Sequence, residues 1–240
     1  MKSMLPDIDV LPIHEVKLEV MEKVVKYKPF TIDQEKMLLM ALEGGNVNDI
    51  INNYKSVINS TVIDPIEWDN MSLVDFVCLV INLRSKSKGQ NLELKREKCK
   101  NCEKPYENTI PIENSLEYKD KDNKKTTFRV HDKLSFELKP ISHNFLYGLD
   151  TLVDEIDLYK HTAVHSISKI MYDSKIYKID FDNVEEVSEK VISKLSLSIL
   201  TDMFKKCKEM ISLRMVINFV CPFCKTEEKI ELDDYLKLLK

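Results

Sequence analysis

The chain has 240 residues, a formal net charge of −4 at pH 7, 43% hydrophobic residues and 32% charged residues. This composition is that of an ordinary globular protein, and it excludes a strong overall attraction to nucleic acid or to anionic membranes. Only four glycines are present, which argues against phosphate-binding glycine loops. No apolar segment approaches the ~20 residues of a membrane span, and no signal peptide is visible, so we expect an intracellular, reducing environment.

The first 89 residues predict a β-hairpin followed by three helices. Apolar residues alternate with charged ones over 16–20 and 25–27, which is the pattern of two paired strands. A residue that favours helix N-termini precedes each of the three helical segments that follow. These residues are Thr31, Asn46 and Ser72. The third helix is apolar on several sides, so it should be the most buried helix of the chain, with a loop over 84–89 after it.

Two Cys-x-x-Cys motifs carry the clearest chemical signal in the sequence. They are formed by Cys99 with Cys102 and by Cys221 with Cys224. Each motif interrupts a segment that alternates like a strand on both sides, so each predicts a hairpin whose tight turn holds two thiols. Two such knuckles facing each other supply four thiolates in a tetrahedron, the geometry of a structural zinc ion. The ion would close residues 103–220 into one loop and tie the end of the chain to its middle.

Three other uses of the cysteines remain open. A redox Cys-x-x-Cys motif normally opens a helix after a strand, but neither motif here is followed by helical periodicity. Disulfides are disfavoured in a reducing compartment, and nothing in the sequence suggests the electron transfer of an iron–sulfur cluster. Cys78 and Cys207 lie on apolar helix faces, so we interpret them as core residues.

The region between the motifs predicts a polar loop over 117–125 and then a mixture of strands and helices. Residues 128–138 alternate as in a hairpin, whereas the apolar residues over 145–156 and 164–171 have helical spacing. A short strand over 177–181 and two more helices follow. The predicted fold is therefore α+β. Its parts are an N-terminal hairpin and helices (1–89), a split zinc ribbon (90–114 and 213–232), an inserted hairpin and helical region (115–212) and a C-terminal helix (233–240).

Evidence for catalysis is thin. His161 and His165 have the i, i+4 spacing of metal ligands on a helix, but Thr162 stands where a zincin has its glutamate. We therefore interpret the two histidines as ordinary surface or capping residues. The sequence contains no P-loop and no nucleophile elbow, so we predict that the protein is not an enzyme.

Basic residues around the first motif raise a nucleic-acid hypothesis, because zinc knuckles often present cations to phosphates. Lys95, Lys98, Lys100 and Lys104 are the clearest examples, but glutamates interleave with them. Five acidic residues also follow the second motif. A nucleic-acid binder needs a net positive field to gain from counterion release. The mixed charge disfavours this partner.

Three segments of the chain carry a family resemblance. The first is 24–31, which contains Tyr27-Lys28-Pro29-Phe30-Thr31, together with 35–43. The second runs over 83–94 into the first cysteine motif, and the third runs from Leu195-Ser196-Leu197 to the second motif. Together they are similar to the baseplate hub subunit family of T-even-like contractile-tail bacteriophages, with 115–132 least covered.

The resemblance has one departure with a structural meaning. The family commonly has glycine after the second cysteine of each motif, where this chain has Glu103 and Lys225. Glycine at such a position relieves a turn with positive φ. The two knuckles of this chain are therefore expected to be strained or to turn differently.

The resemblance implies a non-enzymatic role in the hub of a phage baseplate. The protein would be a structural subunit, or an assembly factor (chaperone), that binds other hub proteins, and its zinc ion would be structural. We expect it in the host cytoplasm during assembly and, if it is a subunit, in the virion baseplate, with no membrane partner. The alternative is a phage-encoded zinc-ribbon regulator that binds nucleic acid.

Overall fold

A computed structural model of the chain describes residues 10–89, 91–112 and 115–232. Within these ranges the fold is α+β, as predicted, with six α-helices and eleven β-strands. The helices are α1 (Ile32–Gly44), α2 (Val47–Thr61), α3 (Leu73–Lys88), α4 (Glu155–Ser166), α5 (Val184–Lys190) and α6 (Leu197–Lys208). The strands are β1 (His14–Leu18), β2 (Lys23–Tyr27), β3 (Asn91–Arg96), β4 (Tyr106–Pro111), β5 (Leu116–Lys119), β6 (Thr126–His131), β7 (Leu134–Leu138), β8 (Ile167–Tyr172), β9 (Lys175–Lys178), β10 (Ser212–Val220) and β11 (Glu227–Leu232). None of the described helices is long and apolar enough to cross a membrane. The helix predicted over 233–240 lies outside the described residues.

Side-chain caps explain where the first three helices begin. Thr31 accepts a hydrogen bond from the backbone N–H of Gln34, and the Gln34 side chain accepts one from the backbone N–H of Thr31, so the two residues form a capping box at the predicted start of α1. Asn46 and Ser72 cap α2 and α3 through their side-chain oxygens. Helix α1 ends before Gly45, whose φ of 72° is left-handed and is adopted by glycine without strain.

Helix α3 lies at the centre of the larger of two hydrophobic cores, as predicted. Eleven of its sixteen residues are buried. The buried carboxylate of Asp75 accepts the backbone N–H groups of Val20 and Met21, at 3.1 and 2.9 Å, which fixes the β1–β2 turn against the helix. The prediction of a loop over 84–89 is wrong, because α3 continues to Lys88. The lysines in its last turn stabilise this end of the helix by a favourable interaction with the helix dipole.

A second, smaller core lies in the middle of the chain. It is covered on one side by a four-stranded antiparallel sheet in the order β6-β7-β8-β9. Phe136 and Ile170 from the sheet pack with Ala163, Val187 and Met203 from helices α4, α5 and α6. The middle of the chain is thus built from strands as well as helices.

Three assignments in the middle of the chain differ from the sequence-based predictions. The apolar residues over 145–156 form mainly short 3-10 turns, and α4 begins only at Glu155, after its cap Asp154. The residues over 164–171 contain the end of α4 and most of β8. In β8 the two buried residues, Ile167 and Ile170, are three positions apart, because a β-bulge shifts its register with β7 between them. The strand therefore lacks the simple alternation by which strands are identified in sequence. The polar stretch over 117–125 is not only a loop, because it contains most of β5, which pairs with β10.

Candidate metal centre

Two antiparallel hairpins carry the four cysteines that the sequence predicts as metal ligands. Strand β3 pairs with β4, and the turn between them contains Cys99 and Cys102. Strand β10 pairs with β11, and the turn between them contains Cys221 and Cys224. The two β-hairpin knuckles predicted from the sequence are therefore both present.

The two knuckles have the same backbone geometry. The N–H of Glu103 donates to the carbonyl of Cys99 at 3.0 Å, and the N–H of Lys225 donates to the carbonyl of Cys221 at 2.9 Å. Glu103 and Lys225 have φ values of 58° and 59°, in the left-handed region that favours glycine. These are the two positions at which the family resemblance led us to expect glycine. Each knuckle therefore holds backbone strain of about 1 kcal/mol.

Four sulfur atoms meet between the hairpins. Cys99 Sγ lies 3.6 Å from Cys224 Sγ, Cys102 Sγ lies 3.6 Å from Cys221 Sγ, and all four atoms lie within 4.8 Å of one another. Four thiolates at about 2.3 Å from a zinc ion are about 3.8 Å apart in a regular tetrahedron. A disulfide would require about 2.05 Å, so these are four free thiols. The cluster has the size and the ligand chemistry for a tetrahedral, thiolate-bound metal ion.

Hydrogen-bond donors favour the thiolate form, which is the form that binds metals, in Cys99 and Cys224, whereas burial and the neighbouring sulfurs raise the pKa of Cys102 to about 11. The backbone N–H groups of Cys102 and Asn101 lower the pKa of Cys99, and the Asn101 nitrogen lies 3.5 Å from Cys99 Sγ. The hydroxyl and the backbone N–H of Thr226 lower the pKa of Cys224 to about 5. Such contacts also orient the ligands around an ion.

Side chains link the two knuckles directly. Lys100 of the first forms a 3.1 Å ion pair with Glu228 beside the second. The ammonium group of Lys104 lies 4.9 Å from the ring centroid of Phe223, and Lys95 pairs with a carboxylate of its own hairpin. Three of the four lysines that prompted the nucleic-acid hypothesis therefore have carboxylate or aromatic partners within the protein.

A group of three histidines lies away from the cysteine cluster. His143 is fully buried, His165 is 9% exposed, and the ring centroids of His161 and His165 are 4.5 Å apart. The interpretation of His165 as a surface residue is therefore wrong. Ring N–H groups of His143 and His161 donate to the carbonyls of Met71 and Phe145, at 3.0 and 2.7 Å. Within the described ranges, the four cysteines form the only group of three or more potential metal ligands.

Burial keeps these imidazoles neutral. It lowers the pKa of His143 to about 4 and, with a contribution from the neighbouring histidines, the pKa of His165 to about 3. His143 contacts the rings of Trp68 and Phe76 in the larger core, whereas His165 belongs to α4, which packs in the smaller one. The group thus lies where the two cores meet. The sequence feature that indicates the burial of His165 is the apolar segment around it in the last turn of α4.

Comparison with known proteins agrees with the resemblance at the level of the family. The sequence model of the family described as T4 bacteriophage base plate protein matches residues 11–240. The comparisons with curated proteins and with solved structures give no significant match. Because the matched region contains both hairpins and nearly the whole chain, this protein belongs to the T4 bacteriophage base plate protein family.

Proposed function

We propose that the protein is a non-enzymatic component of the baseplate hub, either a structural subunit or an assembly factor that binds other hub proteins. Membership of the base plate family supports an association with other baseplate proteins. The observation that carries the proposal is the cluster of four cysteines that joins two distant parts of the chain. A scaffold fixed in this way presents a defined surface to partner proteins.

The bound metal is proposed to be zinc in a structural role. A site with four thiolates has no open coordination position for water or substrate, which distinguishes structural from catalytic zinc. In isolated small modules, such an ion contributes about 10–16 kcal/mol to folding. Here it would hold the hairpin β3–β4 against the hairpin β10–β11.

The histidines support the non-enzymatic assignment rather than a second metal site. His143 and His161 use ring N–H groups to bond backbone carbonyls, and burial accounts for the low pKa of His143 and His165. These features are explained by packing between the two cores. The alternative function in nucleic-acid binding has less support, because Lys95 and Lys100 are ion-paired.

Elemental analysis of the purified protein tests the zinc site. We expect one zinc per chain in the wild type and loss of zinc in Cys99→Ser and Cys224→Ser. The matched control is Cys207→Ser, which alters a buried thiol outside the cluster and should keep its zinc. A wild-type protein that contains no zinc after expression in zinc-supplemented medium would remove the proposed metal.

Deletion of the gene for this protein from the phage genome tests the hub role. Electron microscopy should then show tails or baseplate intermediates that lack a complete central hub, and the wild-type gene supplied from a plasmid should restore it. Quantitative mass spectrometry of purified virions separates the two forms of the proposal, since a subunit is retained and an assembly factor is not. Normal hubs after deletion would contradict both. Salt-dependent binding of the purified protein to DNA or RNA would favour the alternative.

A further inference from the structure

Strand β9 is an exposed edge of the four-stranded sheet. Among the described residues it pairs with β8 alone. On its outer side the Lys178 carbonyl accepts a hydrogen bond from the Asn183 side chain at 3.3 Å, and the backbone groups of Ile176 have no strand partner in the ranges that the structure describes. Its four side chains are all exposed, including Ile176 at 66% and Tyr177 at 47%. An edge strand with large exposed apolar side chains is a template on which a further strand can pair.

An apolar groove of about 680 Å³ lies beside this strand, between the sheet and the segment that contains α5. Its apolar lining includes Leu134, Tyr172, Tyr177, Ile179, Val191 and Leu195. Ile170 of β8 and Tyr177 of β9 are directly paired, so their side chains share one face of the sheet. Ile170 is buried in the smaller core, whereas Tyr177 is half exposed. The groove is therefore a continuation of that core which the described residues leave open toward β9.

Charge around the groove limits what can bind there. Lys175 and Lys178 stand at the two ends of β9, and Lys194 lines the opposite wall. In the described part of the chain none of these three lysines forms an ion pair, unlike Lys190, which pairs with Glu186. The lining of the groove is basic, with Lys178, Lys190 and Lys194 against the single carboxylate of Glu186, although the whole chain is acidic. A second copy of β9 is a poor partner, because antiparallel pairing would oppose Lys175 and Lys178.

We propose that β9 and the groove bind an extended segment of a partner protein by β-strand addition. Residues directly opposite each other on paired strands share one face of the sheet. The complement of Lys175-Ile176-Tyr177-Lys178 is therefore an acidic residue, two apolar residues and a second acidic residue. This pattern is the same in both chain directions. The apolar residue opposite Tyr177 enters the groove, and the two carboxylates pair with the lysines.

The inference rests on the proposed function, because it names a surface by which another baseplate protein would be held. Its test needs neither metal nor phage. A soluble peptide with the core Glu-Val-Leu-Glu is titrated into the isotopically labelled full chain, and a peptide with the core Lys-Val-Leu-Lys is the control. We expect binding of the acidic peptide and slowed amide exchange in Lys175–Lys178. The gene-deletion experiment tests the hub role independently, so either proposal can fail without the other.

The double variant K175E/K178E supplies the matched specificity control, since both side chains are exposed and their replacement leaves the core intact. It should bind the acidic peptide about tenfold more weakly and the basic peptide more tightly, because two cross-strand charge pairs reverse. Binding without protection of β9, or equal binding of both peptides by the variant, would overturn the proposal. Protection of β9 in the free protein that grows with concentration, or that disappears on deletion of residues 1–9, would also overturn it, since the strand would then be covered by a second copy or by the chain itself.

Discussion

The two cysteine hairpins share one turn geometry but receive very different support from the rest of the protein. Strand β10 buries Leu213, Met215, Ile217 and Phe219 in the larger core, and it also pairs with β5. Of the side chains described in β3 and β4, only Tyr106 is buried. The second hairpin is thus held by packing and by a neighbouring strand. The described side chains of the first hairpin's strands contribute less to the core, since Tyr106 is buried and Ile110 is only partly buried against it.

This difference indicates which hairpin a metal bound by the four cysteines would stabilise most. The rings of Tyr106 and Phe219 meet edge to face, with centroids 6.3 Å apart, and such a pair contributes about 1 kcal/mol beyond its buried area. That contact and the Lys100–Glu228 ion pair are modest beside four metal–thiolate bonds. We infer that a bound ion would determine where the first hairpin sits, while the core determines whether the second one forms.

Removal of the metal should have the largest effect, and it should be uneven. In Cys99→Ser, or after chelation, amide exchange across Asn91–Arg96 and Tyr106–Pro111 should accelerate by about two orders of magnitude or more. The reason is that the free energy required for local opening falls by several kcal/mol. Exchange in Ser212–Val220 should change by about tenfold or less, since the core still holds it. Hydrogen-exchange mass spectrometry measures both segments in one experiment.

Cys207→Ser is the control for the loss of a thiol from a packed site, and it should leave the first hairpin protected. Equal acceleration of exchange in both hairpins would show that the metal supports them alike. The contrast drawn from their burial would then be wrong.

Truncation of the aromatic pair should separate the hairpins in a second way. Phe219→Ala removes a fully packed ring from the larger core and should lower the free energy of unfolding by about 3–5 kcal/mol. Tyr106→Ala removes the other ring but should act mainly on the first hairpin, with a smaller effect on urea unfolding and faster exchange in Tyr106–Pro111. Similar losses in global stability from the two variants would mean that the first hairpin unfolds together with the core.

Acid should weaken the protein independently of the hairpins. The pKa of His143 is about 4 and that of His165 about 3, both below the ordinary value near 6.5. The stability that comes from burying these imidazoles in the neutral form is therefore fully present above pH 6.5. It is lost as the pH falls toward the folded pKa values of about 4 and 3. Between pH 7.5 and 5 we expect a loss of about 2 kcal/mol for each histidine, because the unfolded imidazole takes up a proton in this range and the buried one does not. Urea unfolding measures this loss.

Acid also protonates thiolates and releases metal, so the pH experiment is made in Cys99→Ser, in which the four-thiolate site is already broken. His165→Gln in that background should flatten the pH dependence, because the glutamine side chain does not titrate. His131→Gln is the control, since this side chain is exposed. An unchanged slope in His165→Gln would remove the histidine group as the cause.

The parts of the fold that could be predicted from sequence are those that local chemistry determines. Each of the first three helices is capped by a side chain that accepts a hydrogen bond from the backbone N–H three positions later; these caps are Thr31, Asn46 and Ser72. A Cys-x-x-Cys turn is likewise complete within a few residues. The meeting of the two knuckles was predictable because a four-thiolate metal site needs the cysteines of both. The division of the chain into the four predicted regions remains a prediction.

The parts that could not be predicted depend on partners distant in the chain. The sequence of β5 is that of a polar loop. It forms a strand because it pairs with β10, which lies almost a hundred residues later in the chain. Strand β8 has helical spacing of apolar residues but lies between two strands. His165 is buried by the ring of Phe145 and by His161, and no local pattern specifies that packing.

The smallest predicted effect uses the strain that the two turns have in common. Glu103 and Lys225 have nearly the same left-handed φ, so Glu103→Gly and Lys225→Gly each relieve about the same cost, up to about 1 kcal/mol. The second turn directly follows β10, whose side chains are buried along most of the strand, so Lys225→Gly should raise the midpoint of urea unfolding. Glu103→Gly should instead slow amide exchange in the first hairpin and leave the midpoint almost unchanged.

Alanine at either position is the matched control, because it also removes the charged side chain but keeps a Cβ atom and therefore the strain. Glu103→Ala and Lys225→Ala should gain no stability. If Glu103→Gly raises the unfolding midpoint as much as Lys225→Gly does, the first hairpin must share the cooperative unit of the core. The metal would then stabilise the whole fold, because the hairpin that it holds could not open alone.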